Sequence, residues 1–119
     1  MPFDDYNPTV MEHFLNPRNT GELSGATHTA MVRNPACGDM VKLMLRVEGD
    51  VIREARAKTF GCAAAIASTS ALTELLIGKE VSAARALRNM DVVQYLGGLP
   101  EYKIVCSVVA EDAVREALK

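Results

Sequence analysis

Apolar and polar residues alternate along 41–48. Val41, Leu43, Leu45 and Val47 recur in steps of two, and Lys42, Met44, Arg46 and Glu48 fill the intervening positions. A period of two sends the two sets to opposite faces of a strand. Gly49-Asp50 supplies a turn, and residues 51–60 return with partial alternation, so a hairpin is expected. A weaker strand is expected over 26–33. The period changes after Gly61. Residues 63–77 are rich in Ala and Leu, and Ile66, Ser70, Thr73 and Ile77 fall along one helical stripe. Gly78 lies where a helix would stop.

Shorter helices are expected on either side. Residues 9–15, with Thr9 as cap, would form one that Asn16-Pro17-Arg18-Asn19-Thr20-Gly21 breaks. Ser82 would cap a helix over 83–88, and Asp91 one over 92–96 that Gly97-Gly98 stops. From Ser107 onward, Ala110, Ala113, Val114, Ala117 and Leu118 are placed for an amphipathic helix. Strands followed by helices predict an α+β fold, in which helices pack on one face of a three-stranded antiparallel sheet. No repeat or linker divides residues 1–119, so one domain is expected.

Composition narrows the core and the partners. The chain of 119 residues is 49% hydrophobic but only 5% aromatic, with no Trp, so its core must rest on Leu, Ile, Val, Met and Ala. Thirteen basic and fifteen acidic residues are interspersed without a basic run, which disfavours nucleic acid as a partner. No apolar stretch reaches membrane-spanning length, and the Met-Pro-Phe-Asp-Asp start lacks the basic and apolar regions of a secretory signal. The expectation is a cytoplasmic protein with no membrane association.

Three cysteines remain, an odd number that argues against a disulfide framework. Cys37 lies in an inter-strand loop, Cys62 where a strand becomes the long helix, and Cys106 where the last helix is expected to begin. Unpaired N–H groups at a helix start favour a thiolate, and Lys103 would add to this at Cys106. Twenty-four residues separate Cys37 from Cys62 and 43 separate Cys62 from Cys106, so these are not zinc-finger pairs. Three thiolates suit iron–sulfur or zinc, while buried cysteines filling core gaps remain the competing reading. His13 and His28 read as structural. Asp39 after Gly38 reads as a turn former. No His adjoins a Cys in sequence, which gives little support to a cysteine-nucleophile enzyme.

Four segments resemble the IscU/NifU family of iron–sulfur cluster assembly scaffolds. They are Glu12-His13-Phe14-Leu15-Asn16-Pro17-Arg18-Asn19-Thr20-Gly21, then Asn34-Pro35-Ala36-Cys37-Gly38-Asp39. Lys58-Thr59-Phe60-Gly61-Cys62 with Ala65-Ile66-Ala67-Ser68 follows, and last comes Lys103-Ile104-Val105-Cys106-Ser107 with Ala110-Glu111-Asp112-Ala113. The resemblance implies a carrier, not an enzyme: a platform on which a cluster, [2Fe–2S] in kind, is built from iron and desulfurase-derived sulfur and passed to apo-proteins. It implies Cys37, Cys62 and Cys106 as cluster ligands, Cys106 as sulfur acceptor, and Asp39 as the metal-site residue that keeps the cluster exchangeable. Its implied partners are an IscS/NifS-like cysteine desulfurase, apo iron–sulfur proteins and a second copy of the chain when loaded.

The chain departs from that family twice. Val105 stands where the family has a fourth-ligand His, leaving the fourth donor open between Asp39 and an external thiolate. Leu99-Pro100-Glu101-Tyr102-Lys103 replaces the family's Leu-Pro-Pro-Val-Lys chaperone segment, so a DnaK-type chaperone is not carried over. The alternative is a zinc-binding sulfur acceptor that activates a desulfurase. That branch typically carries an insertion between the second and third Cys, absent here, which favours the IscU-like branch.

Overall fold

A computed structural model describes residues 5–35 and 38–119. In chain order the elements are α1 (Pro8–Leu15), β1 (His28–Asn34), β2 (Asp39–Glu48), β3 (Val51–Phe60), α2 (Ala63–Leu76), α3 (Val81–Arg85) and α4 (Asn89–Tyr95). A 3-10 turn (Glu101–Ser107) then runs into α5 (Val108–Ala117). The strands form one antiparallel sheet in the order β1-β2-β3. Val41, Leu43 and Leu45 are fully buried on its inner face, beside Thr59, Ala57 and Ala55 of β3. The expected three-stranded sheet and the helices that follow it are therefore present, including the weaker first strand.

The helix α2 explains why small residues dominate this chain. The strand β3 lies on one side of it, and α1, α4, α5 and the 3-10 turn also pack against it. Every residue from Ala63 to Thr73 except Ile66 is buried. Ala and Ser let the neighbouring backbones approach closely, and the fully buried Leu72 and Leu76 each contribute about 1.5–3 kcal/mol of apolar burial. The expected single stripe does not describe this helix. Ile66 is half-buried and Ile77 is 41% exposed, because a helix enclosed on several sides has no one apolar face.

Three helix starts also differ from expectation. The helix α1 is capped by Asn7 instead of Thr9: Asn7 Oδ1 accepts from Val10 N–H at 2.8 Å. The same amide donates to Leu96 O and Gly98 O, at 3.0 and 3.1 Å, and so fastens α1 to the end of α4. The helix α3 begins at Val81, before Ser82. In α4, Asp91 is the third residue, not the cap; it reaches back to accept from Arg88 N–H at 2.8 Å.

The segment after α1 fastens to α2. Ser70 Oγ accepts from Arg18 N–H at 2.8 Å and shares a hydrogen bond of 2.8 Å with His13 Nδ1. His13 Nε2 then faces Glu74 Oε1 at 3.4 Å. Burial holds the His13 pKa below its usual value, overcoming the opposing pull of Glu74. This histidine is a structural pin, as its sequence context suggested. Asn19 takes a positive φ of 53°, and its carbonyl accepts from Ala57 N–H at 2.9 Å on the outer edge of β3.

Candidate metal centre

Strand β2, the β3–α2 junction and the 3-10 turn meet at one end of the sheet. Asp39 is the first residue of β2 and is only 2% exposed. Cys62 is the N-cap of α2, with extended φ and ψ of −72° and 169°. Its N–H donates to Asp39 Oδ1 at 3.2 Å, and its Sγ lies 4.0 Å from Asp39 Oδ2. Cys106 Sγ is 3.4 Å from Cys62 Sγ, a non-bonded contact far longer than a disulfide of about 2.05 Å. One donor atom from each of Asp39, Cys62 and Cys106 falls within 4.8 Å of the other two. They line an open cavity of about 420 Å³ together with Gly38, Phe60, Gly61 and Lys103.

The sequence expectations resolve unequally. Cys62 is at the strand-to-helix junction as expected. Asp39 is not an exposed turn residue; it is a buried strand residue whose carboxylate faces a thiol. Cys106 is not at a free helix start. It belongs to the 3-10 turn that continues directly into α5, so the preceding turn already occupies that end. It is 2% exposed and packs with Ala64 and Ala65 of α2. Cys37 lies outside the described residues, although Gly38, next in sequence, lines the cavity. Val105 is 43% exposed, and His28 lies at the far end of β1, paired with Leu45.

Three contributors were missed in the sequence. Gly61 leaves room for the Asp39 carboxylate. Asn34, 7% exposed, donates from Nδ2 to Val105 O at 3.1 Å and so holds the turn that carries Cys106. Tyr6, like Cys62 and Leu99, packs against the small cluster of Ala64, Ala65 and Cys106. Its phenol pKa is raised, first by burial and then by the negative charge of Cys62, Cys106 and Asp5. The first two sit inside the quoted motifs, and Asn34 and Gly61 each adjoin a turn or junction. Tyr6 carried no signal beyond being an aromatic next to a helix cap.

Two soft donors and one hard donor on a small, open cavity could hold a thiophilic metal. Residues 5–119 match the family model for the NifU-like N-terminal domain. The chain belongs to that family. Among its relatives, an iron sulfur cluster assembly protein 1 of Trachipleistophora hominis is 43% identical over 117 residues, covering 96% of this chain and 84% of the relative. An iron-sulfur cluster assembly scaffold protein IscU of Aquifex aeolicus is 44% identical over 117 residues, covering 97% and 74%. The crystal structure of a nitrogen-fixing NifU-like protein (N-terminal) from Brucella abortus superposes with a TM-score of 0.79, covering 98% of this chain and 94% of that one. Its identity is 23%, so that likeness speaks for the fold alone. No helix among the described residues is long and apolar enough to cross a membrane.

Proposed function

We propose that this NifU-like domain is a scaffold on which an iron–sulfur cluster, [2Fe–2S] in kind, is assembled and from which it is passed to apo-proteins. The observation that carries the reading is the convergence of Asp39, Cys62 and Cys106 on one open cavity. The cluster is cargo, so a site that both holds and releases it suits the task. Two thiolates and Cys37 would grip iron, and the Asp39 carboxylate, a harder and weaker partner, would keep the grip exchangeable. The chain acts as a carrier, and the whole of 1–119 as one cytoplasmic domain.

Sulfur arrives from a cysteine desulfurase as a persulfide. The Cys106 thiolate attacks its terminal sulfur: a new S–S bond forms at Cys106, the donor's S–S bond breaks, and the donor thiolate leaves with the electron pair. Releasing the carried sulfur as sulfide consumes two electrons, supplied by a thiol or an electron-transfer protein. Mass spectrometry after incubation with desulfurase and cysteine should find the extra sulfur on Cys106. Labelling that persists unchanged in Cys106→Ser would refute that role.

A second reading rests on the same donor set, because two thiolates and a carboxylate also fit tetrahedral zinc. The protein would then be a sulfur acceptor that activates a desulfurase. Anaerobic reconstitution with ferrous iron and sulfide separates the two. Stoichiometric iron and sulfide with visible charge-transfer bands supports the scaffold; a colourless protein retaining only zinc supports the alternative.

A further inference from the structure

Asp5, Tyr6 and Asn7 each fasten to the segment of chain that leads to Cys106. The Tyr102 hydroxyl donates to Asp5 Oδ2 at 2.6 Å. Tyr6 packs against the cluster of Ala64, Ala65 and Cys106. The Asn7 amide donates to Leu96 O and Gly98 O, and its Oδ1 caps α1. Residues 5–7 therefore form a strap over 96–106. Its ends differ in kind. Asn7 is held by three bonds and is the fixed end. Asp5 and Tyr102 are both exposed, Tyr102 to 62%, so their bond is the tie that can open without unfolding anything else. A hydroxyl at this distance from a carboxylate makes a charge-assisted bond, and that bond is the first cause of a raised Tyr102 phenol pKa. Tyr102 stands where the family motif Leu-Pro-Pro-Val-Lys has valine, which could not make it.

We propose that the Asp5–Tyr102 bond is a latch that holds the 5–7 strap closed against the turn carrying Cys106, so that its opening sets how readily this thiol is reached. The inference rests on the scaffold reading for its use: a Cys106 that takes up cargo must be uncovered, yet it is 2% exposed. Tyr6 is the link. It follows Asp5 directly, so lifting Asp5 draws Tyr6 off the cluster that contains Cys106. The latch also borders the thiol cavity, because Lys103, which lines it, places Nζ 5.9 Å from the Tyr102 ring centroid. Asn34 ties the far part of the same 3-10 turn through Val105 O, which leaves the Tyr102 part as the one the latch controls. Asp5 and Tyr102 are positioning residues, acting on the thiol through the strap and the turn.

The test is alkylation of the full, reduced, metal-free chain by iodoacetamide, with Cys106 and Cys62 followed separately by peptide mass spectrometry at low total modification. Tyr102→Phe removes only the hydroxyl, and Asp5→Ala removes its acceptor. Each should raise the Cys106 rate roughly threefold to tenfold, and the double variant should go no further than either single one. Asp5→Asn keeps an oxygen acceptor and should fall between wild type and Asp5→Ala. The half-buried Cys62 should change by less than twofold. A general loss of stability would speed both thiols together, whereas an opened latch speeds Cys106 selectively. Unchanged Cys106 rates, equal acceleration of both thiols, or additive effects in the double variant each overturn the latch. The labelling needs neither iron nor a sulfur donor, so its failure leaves the scaffold reading standing. A protein that reconstitutes with zinc alone would sink that reading and leave the latch to this labelling.

Discussion

Gly61 stands where any side chain would collide with the Asp39 carboxylate. A Cβ built on Gly61 would lie 2.8 Å from Asp39 Cγ and 3.1 Å from Ala65 Cβ. The Asp39 carboxylate occupies that space and accepts from the N–H of the next residue, Cys62, at 3.2 Å. The first residue of β2 and the first turn of α2 are thus locked together at the point where the thiol is presented.

Gly61→Ala should therefore push Asp39 out of its seat. Neither neighbour can yield cheaply, since Asp39 is buried and Ala65 sits in a fully buried helix turn. We expect a loss of about 1–3 kcal/mol, the usual cost of overpacking. The disturbance should also reach the site, moving cluster lifetime in the same direction as removal of the Asp39 carboxylate. Denaturant unfolding and decay of visible absorbance measure the two effects. A variant with wild-type stability and lifetime would show that Asp39 is not clasped here.

Asp39→Ala itself should give a longer-lived cluster. With the carboxylate gone, nothing hard competes with thiolate at iron, and exchange with water or an incoming thiol slows. The Cys62 N–H loses its acceptor, so a fold penalty of about 1 kcal/mol is expected beside the gain in lifetime. Asp39→Asn keeps an oxygen acceptor and should recover most of that penalty. Equal or faster absorbance decay in Asp39→Ala, with and without chelator, contradicts the role.

The sequence carried the sheet because Val41, Leu43 and Leu45 alternate cleanly, and one buried face leaves that pattern little freedom. It carried the site as far as residue type and junction position reach: Cys62 at a strand-to-helix turn is a local feature. What it lacked was long-range. Asn7 as a cap is fixed by its reach to Leu96 and Gly98 at the other end of the chain. The enclosure of α2 depends on elements packed on several sides, which no single helical stripe encodes. Asp39 looked like a turn former because its value lies in a carboxylate that meets Cys62, 23 residues away.

Stability should fall as the solution is acidified through the histidine range. Burial depresses the His13 pKa in the folded state, so the unfolded chain binds the proton more readily. The contribution of neutral His13 is complete above the unfolded value of about 6.5 and is lost as pH falls below it, until the folded histidine also protonates. Denaturant midpoints between about pH 8 and pH 5 should show this decline, and His13→Gln should flatten it. A midpoint that rises on acidification through this window would mean that Glu74, 3.4 Å away, outweighs burial.

The missing imidazole at position 105 makes the last prediction. A [2Fe–2S] cluster is completed by four donors outside its sulfides. In the proposed scaffold Cys37, Cys62 and Cys106 would supply three, and Val105 offers an isopropyl group. The 3-10 turn places successive residues about 120° apart, which agrees with a buried Cys106 beside a 43% exposed Val105. Its backbone is held by the Asn34 bond to Val105 O, so a substitution there should leave the turn in place. Val105→His should give a monomer that holds its cluster longer than wild type. A small thiol added in excess should prolong the wild-type cluster more than that of the variant, because only the wild type lacks a donor. Absorbance decay and native mass spectrometry of anaerobically loaded proteins measure both. If wild-type monomer already holds a stable cluster that Asp39→Ala abolishes, Asp39 is the fourth donor and its role in exchange falls with that result.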